Sequence, residues 1–168
     1  GIHHDIAEQD YHARPEISKH GLDLIARSPM HFKADVNERT PAMMVGSATH
    51  CRVLEPDLFN DQYAVLPEGI DRRTKAGKAT HAEFTAENAD RDILTADQYH
   101  DISMMQAACN AHPAAHVLLN DRNAIREFCV IADNSGVRVR SRIDLAIEQL
   151  GIVVDLKTTK NAAAASFA

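Results

Sequence analysis

Two segments decide the fold: Arg138-Val-Arg-Ser-Arg-Ile-Asp144 and Val153-Val-Asp155-Leu-Lys157-Thr-Thr159. Each is suited to a β-strand and carries one aspartate, and a lysine follows two residues after the second aspartate. Because residues i and i+2 of a strand share a face, Asp155 and Lys157 are predicted to point the same way, roughly 6–7 Å apart. Two carboxylates beside a lysine suit a site where a divalent cation and a positive side chain surround one reacting oxygen.

The connection between these segments, residues 149–151, predicts how they pair. Its final glycine permits a tight bend. If the loop is even-numbered and centred between residues 149 and 150, Asp144 faces Asp155, whereas an odd loop offsets the pair. Opposed strand residues have Cβ atoms about 4.5–5.5 Å apart, so two carboxylates placed there repel unless a cation lies between them. The pattern predicts a metal site; a surface ion pair between Asp155 and Lys157 is the plainer alternative.

The composition predicts one globular domain with no membrane span. The chain has 168 residues, of which 45% are hydrophobic, enough for one buried core. The net charge of −6 argues against binding nucleic acid through overall charge, but it leaves room for a local basic groove. No apolar run is long enough to cross a bilayer, and three widely spaced cysteines are typical of reduced core residues in a cytoplasmic protein.

The order of predicted elements is helices first and strands last. Ser18, Ser28 and Thr95 are predicted helix caps, with Pro29 at a first helical position and Gln98 completing a capping box. Residues 1–120 are therefore predicted to be mainly helical, and residues 121–168 to form a three-stranded meander that carries the motif. Helices are predicted at 18–27, from 29, at 43–55, 95–111 and 113–119, and again after 159, with an irregular segment at 64–80. This order indicates an α/β or α+β fold.

Basic residues form two groups that suit a DNA backbone. Phosphate contacts from lysine and arginine give affinity without sequence selection. The first group lies in the irregular segment 64–80, and the second lies on the strand face of Asp144. A surface loop and a solvated strand face are the alternatives. The residues are Arg72, Arg73, Lys75 and Lys78 in the first group, and Arg138, Arg140 and Arg142 in the second.

These motifs resemble the PD-(D/E)XK nuclease superfamily. The spacing from Asp144 to Asp155-Leu-Lys157 is similar to its signature, and the helix Gly46-Ser-Ala-Thr-His50 is similar to that of the RecB-type branch. Details such as Asp10-Tyr-His12 and the segment 72–78 most resemble RecE-type exonucleases (exodeoxyribonuclease VIII) and their prophage relatives. The resemblance implies a restriction-endonuclease-like core, with a small central mixed sheet flanked by helices.

The resemblance also implies roles for individual residues. Asp144 and Asp155 would bind Mg²⁺ or Mn²⁺, with the backbone carbonyl of Leu156 as a further ligand. His50 would be an additional metal ligand, and a histidine satisfied by a neighbour is the alternative. Lys157 would position or activate the attacking water and stabilise the charged phosphorane.

Two further residues have open roles. Glu127, on the strand before the hairpin, would support the site or bind a second metal; a solvated edge glutamate is the alternative. Arg142 would touch the scissile phosphate or brace a carboxylate through a bidentate contact.

RecE-type relatives degrade double-stranded DNA from its ends in the 5′→3′ direction, and they act beside a RecT-type annealing protein in phage recombination. Ring-shaped homo-oligomers are typical of them, so the resemblance implies self-association. RecB-type nucleases also carry a Gln-x-x-x-Tyr pattern on the next helix, and Ala168 falls at its start, so we expect a single domain that is truncated at its C-terminus. The alternatives are a non-catalytic module that binds DNA or a partner, and a structure-specific endonuclease of the same fold.

Overall fold

The computed structural model describes residues 1–35, 39–159 and 161, which include every predicted element except the helix after Thr159. Short 3₁₀ helices occur at Pro56–Leu58 and Glu148–Leu150. The predicted α/β class is confirmed, and no helix in the described part is long and apolar enough to cross a membrane. In chain order the elements are β1 (Ile2–His3), α1 (Glu8–Ala13), α2 (Lys19–Arg27), α3 (Pro29–Ala34), α4 (Pro41–Leu54), α5 (Phe59–Gln62), β2 (Tyr63–Val65), α6 (Lys75–Glu87), β3 (Asp92–Leu94), α7 (Ala96–Ala111), α8 (Pro113–Leu119), β4 (Ile125–Asn134), β5 (Val137–Ile147) and β6 (Ile152–Val154).

The chain divides into two compact units. The first consists of the described part of Gly1–Glu38 together with Asn120–Asp155. The second consists of Arg39–Leu119 and the described residues from Leu156 onward. The first unit contains the predicted meander, and the second contains the helices from α4 to α8. That the whole chain forms one nuclease domain stays a prediction.

The first unit is built on an antiparallel sheet with the strand order β1-β4-β5-β6. Strands β4, β5 and β6 form the predicted meander. The pairing of β1 with β4, through Ile2 opposite Val130 and His3 opposite Cys129, was not predicted. The amino group of Gly1 also donates to the carbonyl of Ile131. The start of the chain is therefore part of the sheet that carries Asp144.

The predicted register of the β5–β6 hairpin is confirmed. Leu145 pairs with Val154 and Ile147 pairs with Ile152, across a loop of four residues centred between 149 and 150. Gly151 ends this loop with φ 62°, a left-handed conformation that costs glycine little because it has no Cβ. The paired residues of β5 and β6 are therefore the ones predicted for an even-numbered loop.

The strand β6 is shorter than predicted. It ends at Val154, so Asp155 and Lys157 lie beyond it, and the strand geometry predicted to put them on one face does not apply. The next pair in the register would set Asp155 opposite Asp144. Directly opposed like charges are destabilising, so extending the ladder to this pair would carry an electrostatic cost.

The second unit has a core formed where α4, α5 and α7 meet. The fully buried side chains of Phe59, Leu94 and Ile102 lie at its centre, with Cys51 and Tyr63 beside them. Strands β2 and β3 form a parallel pair that was not predicted, and Leu94 on β3 connects this pair to the core.

An irregular segment was predicted at 64–80, and both of these boundaries are wrong. Strand β2 extends to Val65, and α6 begins at Lys75 with the Thr74 side chain accepting from the Gly77 amide at 2.9 Å. A Cβ on Gly77 would lie 2.0 Å from the carbonyl oxygen of Asp71, so only glycine fits this turn. Gly77 is therefore needed for close packing at the start of the helix.

Replacing Ile102 by alanine should destabilise the second unit strongly. Ile102 is fully buried, and truncation of such a side chain costs about 2–5 kcal/mol through lost burial and a residual cavity. The matched control is Met104→Ala on the same helix, because Met104 is 58% exposed and its loss should cost less than about 0.5 kcal/mol. Urea unfolding of both variants measures the difference, and equal losses would contradict this description of the core.

Candidate metal centre

Two carboxylates meet on one face of the antiparallel sheet. Glu127 on β4 and Asp144 on β5 occupy facing positions, because the register is the same on both sides of them. Their carboxylate oxygens approach within 4.8 Å. Asp144 is 8% exposed and the Glu127 side chain is 10% exposed. Two carboxylates this close and this shielded from water require positive charge nearby.

Arg142 supplies positive charge to this pair. Its Nε donates to Oε2 of Glu127 at 2.6 Å, and its Nη1 donates to the carbonyl oxygen of Ile6 at 3.0 Å and lies 3.7 Å from Sγ of Cys129. Burial alone would lower the pKa of Arg142, but the hydrogen bond and the charge of Glu127 outweigh it and raise that pKa above its ordinary value. Arg142 thus contacts a carboxylate through one hydrogen bond and not through the predicted bidentate pair, and a contact with the scissile phosphate stays a prediction.

Asp155 directly follows the last residue of β6. Continuing the β5–β6 register by one residue sets Asp155 opposite Asp144, and Asp155 is exposed to solvent. The three carboxylates of Glu127, Asp144 and Asp155 and the guanidinium of Arg142 leave two formal negative charges, which one divalent cation would neutralise. Carboxylate oxygens are the ligands that hard cations such as Mg²⁺ and Mn²⁺ prefer, so these residues fit the metal.

The second unit carries the other predicted site residues. His50 is half-buried on α4, one helical turn after Gly46. A Cβ on Gly46 would lie 3.5 Å from Oγ1 of Thr158, so the segment that contains Leu156 and Lys157 passes this turn of the helix. Since residues i and i+4 of a helix share a face, His50 lies on the side of α4 along which this segment runs. Leu156 is half-buried and Lys157 is exposed.

The arginines predicted to contact DNA from β5 have partners within the first unit. Arg138 forms an ion pair with Glu16 at 3.0 Å. Arg140 donates to the backbone carbonyls of His12 and Arg14, and its guanidinium lies 5.0 Å from the ring centre of Tyr11. Burial raises the pKa of Tyr11, although the nearby charge of Arg140 acts in the opposite direction. These contacts join β5 to the N-terminal segment; a DNA contact by either arginine stays a prediction.

The predicted basic residues lie around the start of α6, with Arg72 and Arg73 in the turn before it and Lys75 and Lys78 within it. Arg72, Arg73, Lys75 and Lys78 are all exposed. Arg73 is paired with Asp71, its Nε 3.0 Å from Oδ1, and this contact holds the pKa of Asp71 below its usual value. The two lysines lie in the first turn of the helix.

The contact partners of β5 were largely missed from the sequence. The N-terminal segment that supplies Ile6, Tyr11 and Glu16 has no strong strand pattern, and the contacts join residues more than a hundred positions apart. Glu127 was one of the predicted residues, but nothing in its neighbourhood predicted its left-handed backbone, with φ 48°. The three alternating arginines on β5 were nevertheless a signal for these contacts. Where other chain segments cover a sheet, arginine side chains on that face require hydrogen-bond acceptors.

The strand meander, the paired carboxylates and the Asp-Leu-Lys segment after its last strand define a nuclease-type fold of the PD-(D/E)XK class. Residues 18–168 match the family described as a PDDEXK-like domain of unknown function (DUF3799), and the chain belongs to that family. The predicted superfamily is therefore confirmed. The same comparison supports nuclease chemistry and metal binding in general terms. Comparison with curated proteins found no match.

Glu16 should make the stability of the first unit sensitive to acid. It is 6% exposed, and its hydrogen bond with Arg14, together with the charges of Arg14 and Arg138, holds its pKa below the usual value. A depressed pKa stabilises the folded state above the unfolded-state pKa, and this contribution is lost as pH falls through the folded-state pKa. Glu16→Gln should therefore be less stable than the wild type at about pH 7 and differ from it less at about pH 3.

Urea unfolding at both pH values measures this effect. Glu148→Gln is the matched control in the same unit, because Glu148 is exposed and its replacement should change stability little at either pH. A Glu16→Gln deficit of the same size at both pH values would contradict the prediction.

Proposed function

We propose that this protein is a metal-dependent exonuclease that hydrolyses phosphodiester bonds at the ends of double-stranded DNA. The observation that carries the proposal is the nearly buried pair of Glu127 and Asp144, with Asp155 directly after the neighbouring strand β6. Membership of a PDDEXK-like family supports a nuclease reaction. The similarity to RecE-type enzymes supports duplex ends as the substrate and 5′→3′ as the direction.

The metal ligands of this proposal are the ones that the resemblance implies. Asp144 and Asp155 would supply carboxylate oxygens, the backbone of Leu156 a carbonyl oxygen, and His50 an imidazole nitrogen. The oxygen donors suit Mg²⁺ or Mn²⁺, and an added imidazole favours Mn²⁺ somewhat more than Mg²⁺. The position of the Lys157 segment beside the His50 face of α4 supports their joint use.

The cation and the protein side chains would contribute different parts of the hydrolysis reaction. When bound, the cation supplies Lewis-acid activation of water and neutralises phosphate oxygens. Lys157 contributes a point charge beside the attacking water and the developing phosphorane. Arg142 keeps Glu127 oriented, since its guanidinium is held by the backbone of Ile6 as well. Burial of Asp144 limits its motion, so its oxygens are oriented before substrate arrives.

The start of α6 is the proposed contact with the DNA backbone. Lysines in the first turn of a helix face the positive end of its dipole and are therefore electrostatically disfavoured. Lys75 and Lys78 occupy such positions, and phosphate is the kind of group that a helix N-terminus attracts. Arg72 and Arg73 would add to this contact, which gives affinity for any DNA sequence.

The similarity to RecE-type enzymes extends the proposal to the assembly. We also propose that the protein self-associates into a closed ring and cooperates with a RecT-type annealing protein in phage recombination. A ring around the duplex would keep the enzyme on its substrate between successive hydrolysis steps.

Replacing Asp155 or Lys157 by alanine should abolish DNA hydrolysis. Asp155→Ala removes a proposed metal ligand, and Lys157→Ala removes the charge beside the attacking water, so each should lower the rate at least about 100-fold. Release of nucleotides from linear duplex DNA with Mg²⁺ or Mn²⁺ measures the rate. Asp101→Ala and Lys33→Ala, which replace exposed residues of the same types, are the matched controls. Full activity of either site variant would overturn the assignment.

Linear and closed circular DNA in the same assay separate the alternatives. An exonuclease degrades the linear form and leaves the circle intact. Equal cutting of both would instead indicate a structure-specific endonuclease, and DNA binding without hydrolysis of either form would indicate a non-catalytic module.

Removing Lys75 and Lys78 together should weaken DNA binding and reduce its dependence on salt. Each lost phosphate contact lowers the slope of log affinity against log salt by roughly 0.9. Fluorescence anisotropy with labelled duplex in Ca²⁺, at several salt concentrations, measures the slope. The double variant Lys19→Ala, Lys33→Ala removes the same charge from exposed positions of the first unit. If both double variants changed the slope equally, overall charge rather than α6 would explain the binding.

A further inference from the structure

The N-terminal segment, residues 4–17, crosses the sheet of the first unit from one edge to the other. It starts after β1, which pairs with the outer edge of β4. It ends where Ile17 pairs with Val139 in a single parallel bridge. Because Val139 also pairs with Ala132 of β4, Ile17 lies on the other edge of β5. The chain between these two points therefore passes over one face of both strands.

The segment covers the strand face that carries Asp144. Residues i and i+2 of a strand share a face, so the three arginines of β5 project on the same side as Asp144. Each of them binds the segment, through either a backbone carbonyl or a carboxylate. The partners are Ile6 for Arg142, His12 and Arg14 for Arg140, and Glu16 for Arg138. The covered part of β5 therefore extends to the residue next to Asp144 on this face.

The covered length blocks a DNA strand that continues along β5. From Arg138 to Arg142 the strand rises about 13 Å, at roughly 3.3 Å per residue. One strand of duplex DNA advances about 3.4 Å per nucleotide along its axis, so about four nucleotides would lie over this length. The helix α1 occupies part of that space, and a helix with its side chains is about 10 Å across. A DNA strand aligned with β5 can therefore place a phosphodiester at Asp144 only if it ends before the segment.

The segment also reverses the charge of this face. The side chains of β5 beneath it are arginines, whereas Asp5 and Asp10 on the segment are exposed and the Glu8 side chain is 44% exposed. Residues 5–16 carry four carboxylates and one arginine, a formal charge of −3 with histidine neutral. Phosphates are negative, so a DNA strand that rose over the segment would be repelled by it.

We propose, on the basis of the proposed function, that the N-terminal segment is a barrier to continuous DNA and restricts hydrolysis at the Asp144 site to the ends of strands. The segment acts by excluding internal phosphodiesters and takes no part in the reaction itself. Asp5 and Asp10 are specificity-determining residues of this barrier, because their charges face the path that a continuing strand would take.

Neutralising and then reversing the charge of these two aspartates tests the barrier at exposed positions, where substitution should disturb the fold little. The measured quantity is the rate of nicking of closed circular duplex DNA divided by the rate of digestion of linear duplex, with Mg²⁺ or Mn²⁺ at low salt. In the double variant Asp5→Asn, Asp10→Asn this ratio should rise about 5-fold, because two exposed repulsive charges are lost. In Asp5→Lys, Asp10→Lys it should rise further.

The matched controls make the same charge changes at Asp90 and Asp101, which are exposed positions of the second unit. Their ratio should equal that of the wild type. An equal rise in the controls would overturn the barrier, because overall charge would explain it. An unchanged ratio in Asp5→Lys, Asp10→Lys would overturn it as well, and digestion of linear DNA would then leave the proposed function standing. If the wild type hydrolyses no DNA, the proposed function and the barrier fail together.

A photocrosslink locates the DNA end in the wild-type protein without any variant. Duplex with a photoreactive thymidine analogue as its terminal nucleotide, bound in Ca²⁺, should crosslink to residues 4–17. The same analogue about ten nucleotides from the end, beyond the roughly four that the segment spans, should not crosslink there. Mass spectrometry of the crosslinked peptides measures both results. Equal crosslinking of the two labels to the segment, or crosslinking of neither, would overturn the barrier.

Discussion

Strand register is the constraint on which the candidate site depends. Side chains alternate between the faces of a sheet, so a slip of one residue along β5 would move Asp144 to the opposite face. The four-residue loop that ends at Gly151 sets the register on one side of β5, and the long pairing with β4 sets it on the other. Because the two neighbouring strands fix this register, Glu127 on β4 and Asp144 on β5 are directed to one region of the sheet, and Asp155 directly follows the neighbouring strand β6.

The arginines of β5 show how one alternating pattern serves several purposes. All three lie on the face of Asp144, but each has different acceptors: a carboxylate of the N-terminal segment for Arg138, backbone carbonyls for Arg140, and the site carboxylate Glu127 for Arg142. Arg138 and Arg140 therefore attach the N-terminal segment to the sheet, and Arg142 neutralises part of the negative charge at the site. The acidic group is left with a modest excess of negative charge, which favours capture of a cation without excessive repulsion in its absence.

Local patterns predicted much of this fold, and long-range pairings account for most of what they missed. Caps at Ser18, Ser28 and Thr95, and the glycine of the hairpin loop, act within a few residues and can be recognised from the sequence. The addition of β1 to the sheet depends on partners far along the chain, and short strands such as β2 and β3 carry little periodicity. Asp155 was placed on a strand by its apolar flanks, but β6 ends one residue earlier, at Val154. For the site, its acidic residues were predictable by type and spacing, whereas the strained backbone of Glu127 follows from tertiary contacts.

The first unit is discontinuous, and this has a consequence for synthesis on the ribosome. Ile2 and His3 pair with Val130 and Cys129, so these strand partners emerge more than a hundred residues after them. The core of the second unit is formed almost entirely by residues between Met44 and Met105, which become available earlier. Domains generally fold as their sequences are completed, so the helical core can form before Ile2–His3 pairs with β4. The strand β1 is thus made well before its partner, and the part of the candidate site on β4 and β5 is assembled only after the helical core has been made.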